Sequence, residues 1–289
     1  MKDGMKTYGR GRLSLWLSRE TSIRRMDLRR SLVLLVLLTG MSVAASGQIS
    51  VSGRLTHEFE VEPGGTYEGE IVVTNTRDVS TGVEIEQFDY AFFADGSTVY
   101  GRPGTQSRSN ASWITVLSPT RVFMGPGGAL TVRYRMEVPD DASLSGTHWS
   151  LVTVTPLVDR VETPAPGELA IRQVLRYAIQ VVANVGDTGE RSVRVVAAGL
   201  VGEDEGVALR LGIENDGERV VAPQVWAELY GGQGESAGRL EGGKLRIYPG
   251  CSVEHRILLS GLESGEYKAL VIMDNGDEYV WGAQYDLEL

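Results

Sequence analysis

The sequence predicts an all-β protein: two consecutive β-sandwiches behind an N-terminal export signal. Three observations carry this expectation. Residues after Gln48 alternate apolar and polar and show almost no helical periodicity. Glycine-rich turns separate the alternating runs. One strand pattern occurs twice along the chain.

The alternation is clearest from Leu169 to Val185, which predicts one long strand with a buried face. Leu175, Tyr177, Ile179 and Val181 fall on one side, and Arg172, Arg176 and Gln180 on the other. Further strands are expected over 67–74, 83–90, 130–138, 149–155, 207–213, 224–230, 253–259 and 267–273. Between them stand turn formers: Pro63-Gly64-Gly65, Ala94-Asp95-Gly96, Pro126-Gly127-Gly128 and Asn215-Asp216-Gly217. Asn275-Gly276 lies between two β-runs and signals a hairpin, because both residues tolerate positive φ.

The repeat joins distant segments. Gly125-Pro126-Gly127 leads into a strand from Leu130, then Leu144-Ser145-Gly146, then Ser150-Leu151-Val152. Tyr248-Pro249-Gly250 leads into Val253-Glu254-His255-Arg256, then Ser264-Gly265, then Ala269-Leu270-Val271. Upstream, Ile71-Val72-Val73-Thr74-Asn75 parallels Leu211-Gly212-Ile213-Glu214-Asn215. About seven short strands per copy point to two immunoglobulin-like sandwiches. The expected domains are 48–187 and 188–289, with residues 159–168 as an exposed loop of the first.

Residues 1–47 read as an upstream extension and a signal peptide. Arg29-Arg30, an apolar stretch from Leu32 to Leu38 and small residues from Ser42 to Gly47 form the three parts of a secretory signal. Cleavage is expected before Gln48, and Met26 is the expected natural start. The apolar stretch is shorter than the roughly 20 residues of a membrane span, so no stable span is expected after cleavage. The segment holds nine Lys/Arg and three Asp/Glu; removing them from totals of 28 and 38 leaves 19 and 35, a net charge of −16. Such a surface repels phosphate backbones, which argues against a nucleic-acid partner. The single cysteine, Cys251, forms no internal disulfide and reads as a small turn residue rather than a nucleophile.

Chemistry-bearing patterns are missing. His57, His148 and His255 lack metal-ligand spacing, so no metal or cofactor is expected, and His148 and His255 read as polar strand-edge residues. No nucleophile elbow and no phosphate-binding glycine loop occur, so no catalytic residue is assigned and the chain is not expected to be an enzyme. Asp274-Asn275-Gly276-Asp277 reads as a hairpin rather than a calcium loop. Asn110-Ala111-Ser112 matches a glycosylation sequon. Trp149 and Trp226 read as core, and Trp281 as an exposed candidate for partner contact.

The first domain resembles the PapD-like chaperones and related bacterial envelope modules. The resemblance rests on Ala111-Ser112-Trp113-Ile114, Ser118-Pro119, Pro126-Gly127, Val138-Pro139 and Gly146-Thr147-His148-Trp149, in that order. It covers about half of the chain; the family's arginine–glutamate signature before the last strands is absent. The resemblance implies a protein partner, a secreted or fibre subunit bound by strand pairing. The 159–168 loop would precede the donor strand, which carries Leu175, Tyr177 and Ile179. Arg54, early in the first strand, would be one anchor for a terminal carboxylate, and Arg172 or Arg176 the other. A periplasmic location follows from the same resemblance, with the cell surface or exterior as the alternative. The competing function is a structural or adhesive envelope protein.

Overall fold

The computed structural model describes residues 48–157, 174–204 and 206–289. The expected signal peptide, its cleavage site, Arg172 and the 159–168 loop lie outside the described residues.

The first ten strands are β1 (Ile49–Ser52), β2 (Thr56–Val61), β3 (Thr66–Asn75), β4 (Thr81–Phe92), β5 (Thr98–Gly101), β6 (Ile114–Val116), β7 (Arg121–Met124), β8 (Ala129–Glu137), β9 (Gly146–Pro156) and β10 (Tyr177–Val185). They build two sheets, β1-β3-β8-β6 and β2-β10-β9-β4-β5, with β7 also on β4. Ile71, Val73, Val132 and Tyr134 from one sheet meet Val83, Val152, Val154, Ile179 and Val181 from the other, all buried. The alternation read from the sequence is this inward face.

Seven more strands form a second sandwich: β11 (Arg194–Glu203), β12 (Gly206–Glu214), β13 (Gln224–Gly231), β14 (Ser236–Lys244), β15 (Ser252–Leu258), β16 (Glu266–Asp274) and β17 (Val280–Glu288). The sheets are β11-β12-β15 and β14-β13-β16-β17. Leu209, Leu211, Ile213, Val225, Leu229, Ile257 and Val271 fill its core. The protein is thus all-β, with two consecutive sandwiches.

The repeat has a physical counterpart in two buried asparagines. The Asn75 amide donates to the carbonyls of Val79, Met124 and Gly125 at 2.8, 3.1 and 2.9 Å. The Asn215 amide donates to Arg219 and Ile247 at 2.8 and 2.9 Å. Each side-chain oxygen accepts the backbone N–H two residues on. Each asparagine therefore pins the turn after its strand to the segment before a Pro-Gly turn. In a sandwich without disulfides, such bonds satisfy carbonyls that leave the ladders.

Several expectations need correction. Arg54 does not lie within a strand. Gly53, at φ 93°, breaks the first run into β1 and β2, which join different sheets, and Arg54 sits in that crossover. The long strand from Leu169 begins, among the described residues, only at Tyr177. The β9–β10 register would place Leu175 opposite Pro156, which has no N–H to give to the ladder. His148 is not an edge residue, since β9 is an inner strand; His255 does lie on an edge strand, β15, but its side chain, like that of His148, is only 8% exposed. His148 packs against Trp113, ring centroids 4.7 Å apart and tilted by 38°, and burial, with the charge of Arg108, pushes its pKa down to about 4. Trp226 faces outward, where Arg239 lies over its ring at 4.1 Å. Trp281 instead packs against the second core. The Asn110 amide is fully buried and donates to His148 and Val181 carbonyls, so the sequon is closed in the folded protein. The Asn275-Gly276 hairpin forms as expected. Its carboxylates cap their own turn: Asp274 accepts from Gly276 N–H and Asp277 from Tyr279 N–H.

Candidate strand-pairing site

The candidate site is the N-terminal end of β10. On one side β10 pairs with β9 along its whole length, from Tyr177 opposite Val154 to Val185 opposite Gly146. On the other side its partner is β2, in parallel, and that ladder starts only at Gln180 opposite Thr56. The Gln180 N–H donates to the Leu55 carbonyl at 2.8 Å. Ala178 lies two residues earlier, so its N–H points the same way, to the side where β2 has not yet begun. Among the described residues no strand pairs with this side of residues 177–179. Among those residues it is an open edge inside a sheet that is otherwise closed at this place.

The side chains divide by the strand period. Ile179 is fully buried in the first core, and Tyr177 packs against that core and donates its hydroxyl to the Ile49 carbonyl at 3.2 Å. These two back the edge from inside and are not open to a partner. Leu175 and Val174 stand before the strand, 45% and 41% exposed. Arg176 is exposed, with its guanidinium 5.7 Å from the Phe88 ring centroid. Arg54, also exposed, immediately precedes Leu55, whose carbonyl closes the β2 side of the gap. The fold thus places Arg54, Leu175 and Arg176 around the same stretch of backbone, unpaired on this side among the described residues.

The second sandwich fastens this corner. Trp149, on the outer face of β9, stacks on Tyr248 at 4.9 Å and donates its indole N–H to the Tyr90 carbonyl at 2.7 Å. The Tyr248 hydroxyl donates to Gln180 Oε1 at 2.6 Å, and Thr56 Oγ1 donates to the same oxygen at 3.2 Å. Glu58 on β2 meets Arg246 at 3.1 Å, and Glu60 meets Arg219 at 3.2 Å. Burial pushes the Glu58 carboxyl up, but hydrogen bonds from Arg246 and Asn184 and the Arg246 and Arg219 charges outweigh it, holding Glu58 below its ordinary value. Burial raises the Tyr248 phenol, so it stays a neutral donor. The point where the β2–β10 ladder starts is therefore set by bonds from both sandwiches.

Sequence reasoning missed Gln180, Arg219, Arg246 and Tyr248 as a group. The contacts described here join them to partners 68 to 188 residues away, and only Tyr248 carried a signal, as the start of the repeated Pro-Gly turn. The arrangement offers backbone hydrogen bonding, apolar contact and two cations. Among the described residues no three His, Cys, Asp or Glu side chains converge as a metal site.

No family model matches the chain, and no curated protein matches it. Solved structures of similar strand arrangement do. A chaperone–tip adhesin complex of CFA/I fimbriae biogenesis matches at 10% identity and TM-score 0.44, over 82% of this chain and 97% of that one. The CsuC–CsuE chaperone–tip adhesion subunit complex of Acinetobacter baumannii matches at 13% identity and TM-score 0.41, over 82% and 97%. The PapD-like domain 7 of human CEP192 matches at 15% identity and TM-score 0.31, over 58% and 97%. The chain is similar to PapD-like proteins of quite different settings in its sandwich plan.

Proposed function

We propose that this is an exported, non-enzymatic, chaperone-like protein that binds a secreted or surface subunit by β-strand pairing. The observation that supports it is the unpaired edge at residues 177–179, flanked by exposed Leu175 and by the cations Arg54 and Arg176. An extended segment of a partner would lie beside β10 and take up the Ala178 N–H. Main-chain bonds give such an interaction its affinity, and pockets for alternate side chains give it selectivity. Leu175 would supply the apolar contact at the open end. Arg54 and Arg176 would hold an anionic group, such as a terminal carboxylate, by charge-assisted bonds. Arg172, outside the described residues, is the other candidate for the second anchor. The proposed compartment is the periplasm.

The test is a crosslinked pull-down of residues 48–289 from the cell envelope, beside the Arg54→Glu/Arg176→Glu variant. One dominant small exported partner, lost from the variant, is the expected result. Folded wall components retained equally by both chains would instead favour a structural or adhesive role.

A further inference from the structure

The outer face of the β2–β10 ladder carries a closed ring of polar contacts that strand pairing alone does not require. Thr56 and Glu58 lie two residues apart on β2, and so on one face. Gln180 stands opposite Thr56 on β10. Thr56 Oγ1 and the Tyr248 hydroxyl both donate to Gln180 Oε1, at 3.2 and 2.6 Å. Arg246 Nε donates to the Tyr248 hydroxyl at 3.4 Å, and the Arg246 guanidinium pairs with Glu58 at 3.1 Å. The ring therefore runs from β2 to β10, out through two residues of the second sandwich, and back to β2. It encloses the rung at which this ladder begins.

That rung has little backbone support of its own. Its bond is the Gln180 N–H to the Leu55 carbonyl. Ahead of it Gly53, at φ 93°, stands in open space, Arg54 is exposed, and Leu55 is 46% exposed. The end bond of a ladder opens at a low free energy unless side chains hold it. Once open, the Gln180 N–H would join the Ala178 N–H on the same side of β10, and the edge, open at 177–179 among the described residues, would grow toward β2. Tyr248 is suited to prevent this. Its ring is buried and stacked on Trp149, so its hydroxyl reaches Gln180 from a side chain that is already fixed.

We propose that Tyr248 is a positioning residue for the strand-pairing site: through Gln180 it holds the first β2–β10 rung closed and so sets the length of the open edge. The second sandwich thereby limits how much of β10 a partner can pair. That use of the ring rests on the strand-pairing reading; the hold on the rung does not.

Amide exchange of residues 48–289 at low urea, with no partner present, tests it in wild type and Tyr248→Phe. Phenylalanine keeps the ring beside Trp149 and removes only the hydroxyl. The Gln180 amide is expected to exchange by a local opening, only weakly dependent on urea, and about threefold to tenfold faster in the variant. A merely structural role would speed only amides that exchange by global unfolding, with full urea dependence. Thr56→Val removes the other donor to the same oxygen; it should act at the same amide and serves if Tyr248→Phe fails to fold. A Gln180 amide unmoved in both variants, or one that exchanges only with global unfolding, would overturn the proposal. An exported partner captured while that amide stays unmoved would refute the ring's role and leave strand pairing standing.

Discussion

Inside the two apolar cores sit a few buried polar groups whose bonding and protonation bear directly on stability. Asn215 is fully buried, and both its amide bonds go to backbone carbonyls. Asn215→Ala takes the partner from the Arg219 carbonyl and the Gly217 N–H, while the Ile247 carbonyl keeps the Val221 N–H; each unsatisfied buried group costs about 1–3 kcal/mol. A loss of about 2–4 kcal/mol is therefore expected, read from urea unfolding. His148 makes a pH prediction. Its ordinary pKa is near 6.5 and its folded value about 4, so the unfolded chain binds a proton that the folded chain refuses. Stability should fall as pH drops from about 6.5 to about 4, by up to about 3 kcal/mol from this group. His57 and His255 are lowered by burial too and act in the same direction. Unfolding midpoints at pH 7 and pH 4.5 check it, and His148→Gln should flatten the slope. Neither residue's role was legible beforehand. Asn215 looked like turn chemistry, which it is, but its reach to Ile247 is a tertiary fact. His148 looked like an edge because polar residues in strands usually face water; it packs inward against Trp113 instead.

At the scale of elements, alternation told where strands run but not where their ladders stop. The inward face of β10 was readable: Ile179 and Val181 are both fully buried, as the period of two requires. Its start was not, because that depends on Pro156 of β9 and on where β2 begins. The same limit hid the split of the first run at Gly53, which moved Arg54 from a strand to a crossover. The account makes a sharp local prediction here. In the free protein the Ala178 amide should exchange fast with solvent, while the Gln180 amide, bonded to Leu55, is protected. Amide exchange followed by nuclear magnetic resonance checks it. Slow exchange at Ala178 would mean that something already covers the edge.

At the scale of the whole molecule, both sandwiches and their repeat could be read from spacing, because each copy keeps its own turns and strand order. The contact between them could not. Trp149 was legible as buried, yet its stacking partner Tyr248 is 99 residues away and belongs to the other sandwich. That contact joins Trp149 and Val182 to the second core and sets the β2–β10 corner. Trp149→Ala removes a large buried aromatic, and losses of about 3–5 kcal/mol are usual for such changes. Because the lost contact lies between sandwiches, calorimetry should show one transition separating into two. A single transition, merely shifted, would show that the sandwiches do not depend on this contact for their coupling.

The most direct test of the strand-pairing account is site-specific photocrosslinking in the native envelope. A photoreactive residue is placed at Leu175, beside the open edge, and a control at Val280, on the second sandwich. The account predicts one crosslinked band at position 175, a small exported protein, lost when Arg54→Glu and Arg176→Glu are added. No crosslink at 175, or one indifferent to both arginines, would contradict it.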